Sequence, residues 1–204
     1  MKNKKLIIFD MDGVLVDACE WHKEALNQSL VEICGFLIND EEHYTKYNGL
    51  PTKVKLKKLS ALGLLDEADI QKIEDLKQIR TIDIINKKAF KRQEKIELLQ
   101  YLKSNNCFIA CYTNSIRTTA ELMLEKTGIL NFFDLLITNQ DVEKCKPDPE
   151  GYNKIINFFN LSCTDTLIVE DSPNGIEAAT KSGAKVCIVK NPDEVNIELL
   201  RTKI

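Results

Sequence analysis

Five short runs of apolar residues limit what this chain can fold into more than any other feature. They are Leu6-Ile7-Ile8-Phe9, Cys107-Phe108-Ile109-Ala110-Cys111-Tyr112, Leu135-Leu136-Ile137, Thr166-Leu167-Ile168-Val169 and Val186-Cys187-Ile188-Val189. Each is continuous rather than alternating, so each predicts a strand with both faces covered. Segments of helical period lie between them, at residues 95–104, 116–126, 150–159 and 175–182. Strands alternating with helices pair in parallel, because each helix carries the chain back over the sheet. The pattern predicts an α/β fold, a doubly wound parallel sheet.

One stretch breaks the alternation. From residue 17 to residue 88 no strand is predicted. Trp21, Ala25, Leu26, Leu30 and Ile33 recur on one helical face, and residues 65–85 form a long, charged, helix-favouring run. The turn Asn48-Gly49-Leu50-Pro51 separates two of these helices. A helical insertion after the first strand accounts for all of this. The expected division is a core of residues 1–16 and 88–204 and a helical cap of residues 17–87. A length of 204 residues accommodates both.

Composition removes several functions. The net charge of −3 lacks the basic surplus that phosphate-backbone binding requires, so no nucleic-acid partner is expected. No apolar run has the length of a membrane span or the pattern of a signal peptide, so a cytoplasmic protein without a membrane partner is expected. The seven cysteines are odd in number and include no Cys-x-x-Cys pair, which reads as reduced thiols. Two histidines, His22 and His43, do not suffice for a histidine-rich zinc site. A monomer is the default expectation.

In open parallel sheets, ligands bind beyond the carboxyl ends of the strands. Here four predicted strands are followed by polar or reactive residues. Asp10-Met11-Asp12-Gly13 follows the first, and by itself it reads first as a turn or cap. Thr113-Asn114-Ser115 follows the second; Asn114 or Ser115 could cap the next helix, and the group could also hold an anion. Lys146-Pro147-Asp148-Pro149 comes after the third, where Lys146 is either a solvated lysine or a rigidly placed counter-charge. Glu170-Asp171-Ser172 follows the fourth, with Asp171 or Ser172 available as a cap.

If the first and fourth strands are neighbours, Asp10, Asp12, Glu170 and Asp171 share one corner. Two like charges about 4 Å apart repel by about 4 kcal/mol at an effective dielectric of about 20. Several such pairs rival the whole stability of a domain, about 5–15 kcal/mol. The corner therefore needs a cation, raised pKa values, or both. Hard oxygen donors favour Mg²⁺.

Together these motifs resemble those of the haloacid dehalogenase-like (HAD) hydrolases, in the branch of β-phosphoglucomutase and phosphoglycolate phosphatase. The resemblance rests on Asp10-Met11-Asp12-Gly13-Val14-Leu15-Val16-Asp17, Thr113-Asn114-Ser115, Lys146-Pro147-Asp148-Pro149, and Glu170-Asp171-Ser172 with Gly175 and Ala178-Ala179. It implies a Rossmann-like core with a helical cap, and a Mg²⁺-dependent phosphatase acting on a small phosphorylated metabolite. Sugar phosphates, phosphoglycolate and nucleotides are all admissible. It implies that Asp10 is the nucleophile and becomes an aspartyl phosphate, and that Asp12 is the acid and base. Thr113, Asn114 and Lys146 would hold the transferred group, and Asn114 and Ser115 are candidates for substrate binding. Mg²⁺ would lie on Asp10, the Asp12 carbonyl, Glu170 and Asp171. Neighbouring negative charge is expected to raise the pKa of Asp12.

The cap residues His22, Gly49, Thr52 and Lys53 are candidates for substrate contact. His22 stands where β-phosphoglucomutase has a histidine that helps govern access of its acid/base residue, and it reads equally as a hinge or packing residue. Thr52 replaces the arginine with which that mutase grips its distal phosphate, and Ile116 replaces a lysine, which favours a phosphatase over a mutase. The run Lys53, Lys55, Lys57, Lys58 reads as a solvated helix face or as a surface that steers anions, with Lys77 and Arg80 as possible additions. Other classes fit less well. A phosphoacceptor receiver domain carries its acceptor aspartate after a later strand, and a dinucleotide enzyme needs Gly-x-Gly-x-x-Gly after the first. A non-catalytic binding relative would not need every matched position filled.

Overall fold

The computed structural model describes residues 4–203. Five parallel strands form one sheet: β1 (Leu6–Phe9), β2 (Phe108–Tyr112), β3 (Leu135–Ile137), β4 (Thr166–Glu170) and β5 (Lys185–Ile188). Their spatial order is β3-β2-β1-β4-β5. The strand nearest the N-terminus is therefore central, paired on one side with β2 and on the other with β4. Phe9 lies opposite both Cys111 and Val169, so the chain leaves β1, β2 and β4 at one level. The adjacency that the charge argument assumed is present.

Side chains alternate across the sheet, as strand geometry requires. Ile7 and Phe9 enter one buried cluster with Leu98, Leu102 and Met123; Leu6 and Ile8 enter another with Tyr152, Ile155 and Ala178. The helices supplying these partners are α5 (Gln93–Ser104) and α6 (Arg117–Lys126) on one face. On the other are α7 (Glu150–Phe158) and α8 (Pro173–Lys181).

Between β1 and α5 the chain is helical. Its main elements are α1 (Cys19–Cys34), α3 (Thr52–Ala61) and α4 (Ile70–Lys88), with a short α2 (Asp40–Glu42) leading into one π-helical turn (His43–Tyr47). These helices bury their own cluster, which includes Leu26, Leu30, Leu56, Leu59 and Ile73. The single helical face expected from Trp21 to Ile33 is divided. Leu26, Leu30 and Ile33 pack into this cluster, whereas Trp21, near the start of α1, packs against the core cluster that contains Ile7 and Phe9. The run expected from residue 65 begins as a helix only at Ile70. Asp66 accepts from the Ala68 N–H and sets up a 3₁₀ turn instead.

Candidate active site

The site starts from two turns. Gly13 has φ of 91°, a left-handed conformation natural to glycine, and a Cβ there would lie 2.2 Å from Asp171 Oδ2. The turn after β1 is thus pressed directly against the residue after β4. After β4, Ser172 accepts from the Gly175 N–H and caps α8, which leaves Asp171 free of capping duty. After β2 neither expected cap forms. The Arg117 N–H goes to Gln140 Oε1, and the Ser115 hydroxyl turns to Asp12 instead.

Lys146 holds the centre. It is 3% exposed, and its Nζ donates to Asp10 Oδ1 and Glu170 Oε1, both at 2.6 Å, and to the Tyr112 carbonyl at 2.9 Å. Its nitrogen lies 4.7 Å and 5.2 Å from the ring centroids of Tyr112 and Tyr152. Tyr152 also donates to Glu170 Oε1 at 2.6 Å. The other Glu170 oxygen accepts from Asp171 N and from the N and Oγ of Ser172. Burial opposes the Lys146 charge, but Asp10 and Glu170 outweigh it and keep its pKa well above the usual lysine range.

One carboxylate oxygen each from Asp10, Glu170 and Asp171 lie within 4.8 Å of one another. Asp171 Oδ1 is buried without a hydrogen-bond partner. Three carboxylates against one ammonium leave a negative surplus in a largely dry corner. Burial raises Asp10 well above the usual carboxylate range despite Lys146, with Glu170 and Asp171 reinforcing the shift. Burial and Glu170 push Asp171 up to about 7. An orphaned oxygen, hard donors and surplus negative charge fit a divalent cation such as Mg²⁺.

Asp12 points elsewhere, and its charge state differs from the expectation. Its carboxylate meets His22 Nε2 and Ser115 Oγ at 3.0 Å each, and Thr113 Oγ1 at 3.4 Å. Burial alone would raise its pKa. His22, the Ser115 hydrogen bond and the Lys77 charge outweigh burial and hold it below the usual value. The expected acidic neighbours are not the groups its oxygens face. Lys77, on α4, lies 3.2 Å from His22 Nδ1. An ammonium there donates to Nδ1, which fixes the proton of a neutral His22 on Nε2, facing Asp12.

The helical segment docks on these strand ends. Asn114 Nδ2 donates to the Gly49 carbonyl at 2.6 Å, and Asn174 Nδ2 to the Asn48 carbonyl at 2.9 Å. A Cβ on Gly49, whose φ is 76°, would lie 2.9 Å from Ser172 Oγ, so the turn can sit this close only without a side chain. The Asn114 amide therefore holds backbone in this structure. Together the two parts enclose a cavity of about 520 Å³. Asp10, Asp12, Thr113, Asn114, Ser115 and Lys146 line its floor. His22, Gly49, Thr52 and Lys53 line it from the helical side. Glu170 lies behind Lys146, wholly buried, and Asp171 beside the Asp10 turn is part-buried.

Sequence reasoning missed some of the lining. Lys77, only a possible addition to the basic run by sequence, lies on α4 in line with its buried Ile70, Ile73, Thr81 and Ile84. By sequence Lys55 is only one of a run of surface lysines. Lys53, Lys57 and Lys58 are exposed, but Lys55 shares the buried face of α3 with Leu56 and Leu59. No local signal marked Tyr152 as a partner of Glu170.

Fold and site define a class: an α/β protein on a doubly wound parallel sheet, with acidic residues gathered at the end of its central strand. Residues 7–189 match the model of the haloacid dehalogenase-like hydrolase family, and the chain belongs to that family. Validoxylamine A 7'-phosphate phosphatase of Streptomyces hygroscopicus subsp. limoneus is 29% identical over 187 residues, covering 88% of this chain and 82% of that protein. A phosphorylated carbohydrates phosphatase of Thermotoga maritima is 27% identical, covering 87% and 81%. Among solved structures, β-phosphoglucomutase of Clostridium difficile superposes with a TM-score of 0.84 at 20% identity, over 98% of this chain and 97% of that one. The chain is an enzyme of the phosphatase type within its family. No helix among the described residues is long and apolar enough to cross a membrane.

Proposed function

We propose that the protein is a Mg²⁺-dependent phosphatase that hydrolyses a small phosphomonoester through an aspartyl phosphate on Asp10. The observation that carries this reading is the contrast between the two aspartates after β1. Asp10 is bound by Lys146 inside the surplus of negative charge, whereas Asp12, two residues on, is held by His22 and two hydroxyls. In this reading the first is the nucleophile and the second the proton carrier. In this reading the helices of residues 17–87 act as the cap, over a core formed by residues 1–16 and 88–204.

Asp10, Glu170, Asp171 and the Asp12 carbonyl would hold Mg²⁺, which when bound neutralises charge on the phosphoryl oxygens and on the carboxylates around it. The chain's own residues do the rest. A carboxylate oxygen of Asp10 attacks phosphorus as the bond to the leaving oxygen breaks. Lys146 and the Thr113 and Ser115 hydroxyls surround the transferring group and lessen its negative charge. Asp12 gives a proton to the departing oxygen. It later takes one from the water that attacks the aspartyl phosphate, releasing inorganic phosphate and restoring Asp10. Without substrate His22 keeps Asp12 ionised, which suits the second step. The negative charge of an arriving phosphate raises its pKa toward the protonated form needed for the first.

Phosphate release from a panel of phosphorylated metabolites tests the reading. EDTA is expected to stop release and added Mg²⁺ to restore it; turnover indifferent to chelation removes the metal assignment. Asp12→Asn is expected to slow turnover by at least about 10²-fold, the usual scale of acid–base assistance. A change below about threefold in a folded variant removes that role from Asp12.

A further inference from the structure

The helical side of the cavity holds more positive charge than the chemistry above uses. Lys55 is 7% exposed and lines the cavity, and its ammonium makes no hydrogen bond or ion pair among the described residues. Lys77 lines the same wall, and the one hydrogen bond of its ammonium among the described residues is to Nδ1 of His22. His43, 1% exposed, lines it too, and its Nδ1 is buried without a partner. The acids facing this region are Asp12, whose charge acts on both lysines, and Glu74 and Asp75 on α4, of which Glu74 is answered chiefly by the exposed Lys53. Burial and the charge of Lys77 push Lys55 down to about 8, and burial pushes Lys77 to about 8 despite Asp12 and Glu74. Two ammonium groups that disfavour one another, beside an unpartnered imidazole, are relieved by an anion between them.

We propose that Lys55, with Lys77 and His43, forms a second anion subsite, which selects phosphomonoesters whose leaving group carries a further carboxylate or phosphate. The proposal rests on the phosphatase reading for the role of the first phosphate. Lys55 is its specificity-determining residue: it touches neither the Asp10 corner nor His22 by any hydrogen bond in the structure. Lys77 is shared between the subsite and His22.

Three esters of one chain length separate the possibilities: 3-hydroxypropyl phosphate, 3-phosphooxypropanoate and propane-1,3-diyl bisphosphate. For the wild-type enzyme with Mg²⁺, kcat/KM is expected to be at least about tenfold higher for one or both anionic esters than for the hydroxyl ester. Tenfold is the lower end of what one charge-assisted hydrogen bond supplies. Which anionic ester gains identifies carboxylate or phosphate as the preferred group. Lys55→Met is expected to bring the ratio to within about threefold of unity and Lys55→Arg to keep most of it, since one removes the charge and the other does not. No preference in the wild type, or a preference that survives in folded Lys55→Met, overturns the subsite. Calorimetric Kd values for the three esters give the same ratio without turnover. Thus a protein that binds the anionic esters preferentially but releases no phosphate would refute the phosphatase reading alone.

Discussion

Replacing Asp10 by Asn is expected to abolish turnover, by at least about 10³-fold, and with it any phosphorylated form of the protein. Loss of a nucleophile in an enzyme whose groups act as a unit costs on the order of 10⁶ where it has been dissected, so this floor is conservative. The amide is nearly isosteric, but its nitrogen cannot attack phosphorus as a carboxylate does. The substitution also removes one of the carboxylates paired with Lys146 and one of the oxygens that would hold Mg²⁺. Lys146 keeps Glu170 and the Tyr112 carbonyl, and the acidic surplus falls by one charge, so the variant is expected to fold. Acid-quench trapping of label from a phosphorylated substrate, beside steady-state phosphate release, measures both effects. Wild-type turnover in a folded Asp10→Asn variant would falsify the assignment of the nucleophile.

Lys146→Met is expected to produce the largest loss of stability of any single change at the site. Its ammonium is the only cation bonded to Asp10 and Glu170 among the described residues, and all three groups are buried. Removing one partner of a buried ion pair leaves charge that neither water nor protein answers, at a cost of about 3–5 kcal/mol. For a chain of this size that corresponds to a fall in Tm of roughly 6–20 °C. The loss depends on pH. Asp10 and Asp171 already have raised pKa values in the folded protein, and losing Lys146 raises Asp10 further. An acid with a raised folded pKa favours the native state at low pH, and that contribution is lost as pH rises through the folded value. The deficit of the variant is therefore expected to be greatest above pH ~7 and to shrink on acidification. Mg²⁺ that binds only the native state offsets part of it, so urea titrations with and without EDTA separate the two terms. A deficit under about 1 kcal/mol in EDTA at neutral pH would show that the ammonium does not balance these acids.

The reading of the sequence went furthest where backbone and burial agreed. Leu6-Ile7-Ile8-Phe9 is apolar at every position because both sheet faces are covered, and the residue that follows such a strand must stand at the edge of the core. That logic located Asp10, Thr113 and Asp171 without any knowledge of their partners. It failed where a residue had two local uses. Ser115 and Ser172 are equally good helix caps on paper; only the packing of Gln140 against α6 releases Ser115 to face Asp12, while Ser172 does cap its helix. It failed again for Lys55, because a lysine among lysines reads as solvated until the helix carrying it is rotated into place against Leu56 and Leu59.

Local sequence settled the strands, the interrupting helices, the sharp turn at Gly13 and which polar residues stand at strand ends, because each follows from burial pattern or backbone freedom within a few residues. Strand order, the facing of Asp12 toward His22 rather than toward other acids, and the charge left over around Asp171 were decided by the tertiary structure alone. Those depend on groups from separate elements meeting within hydrogen-bond distance, some more than a hundred residues apart, as Thr113 and Ser115 meet Asp12. The charge a carboxylate bears is set by those neighbours and by the water they exclude, neither of which is written near it in the chain.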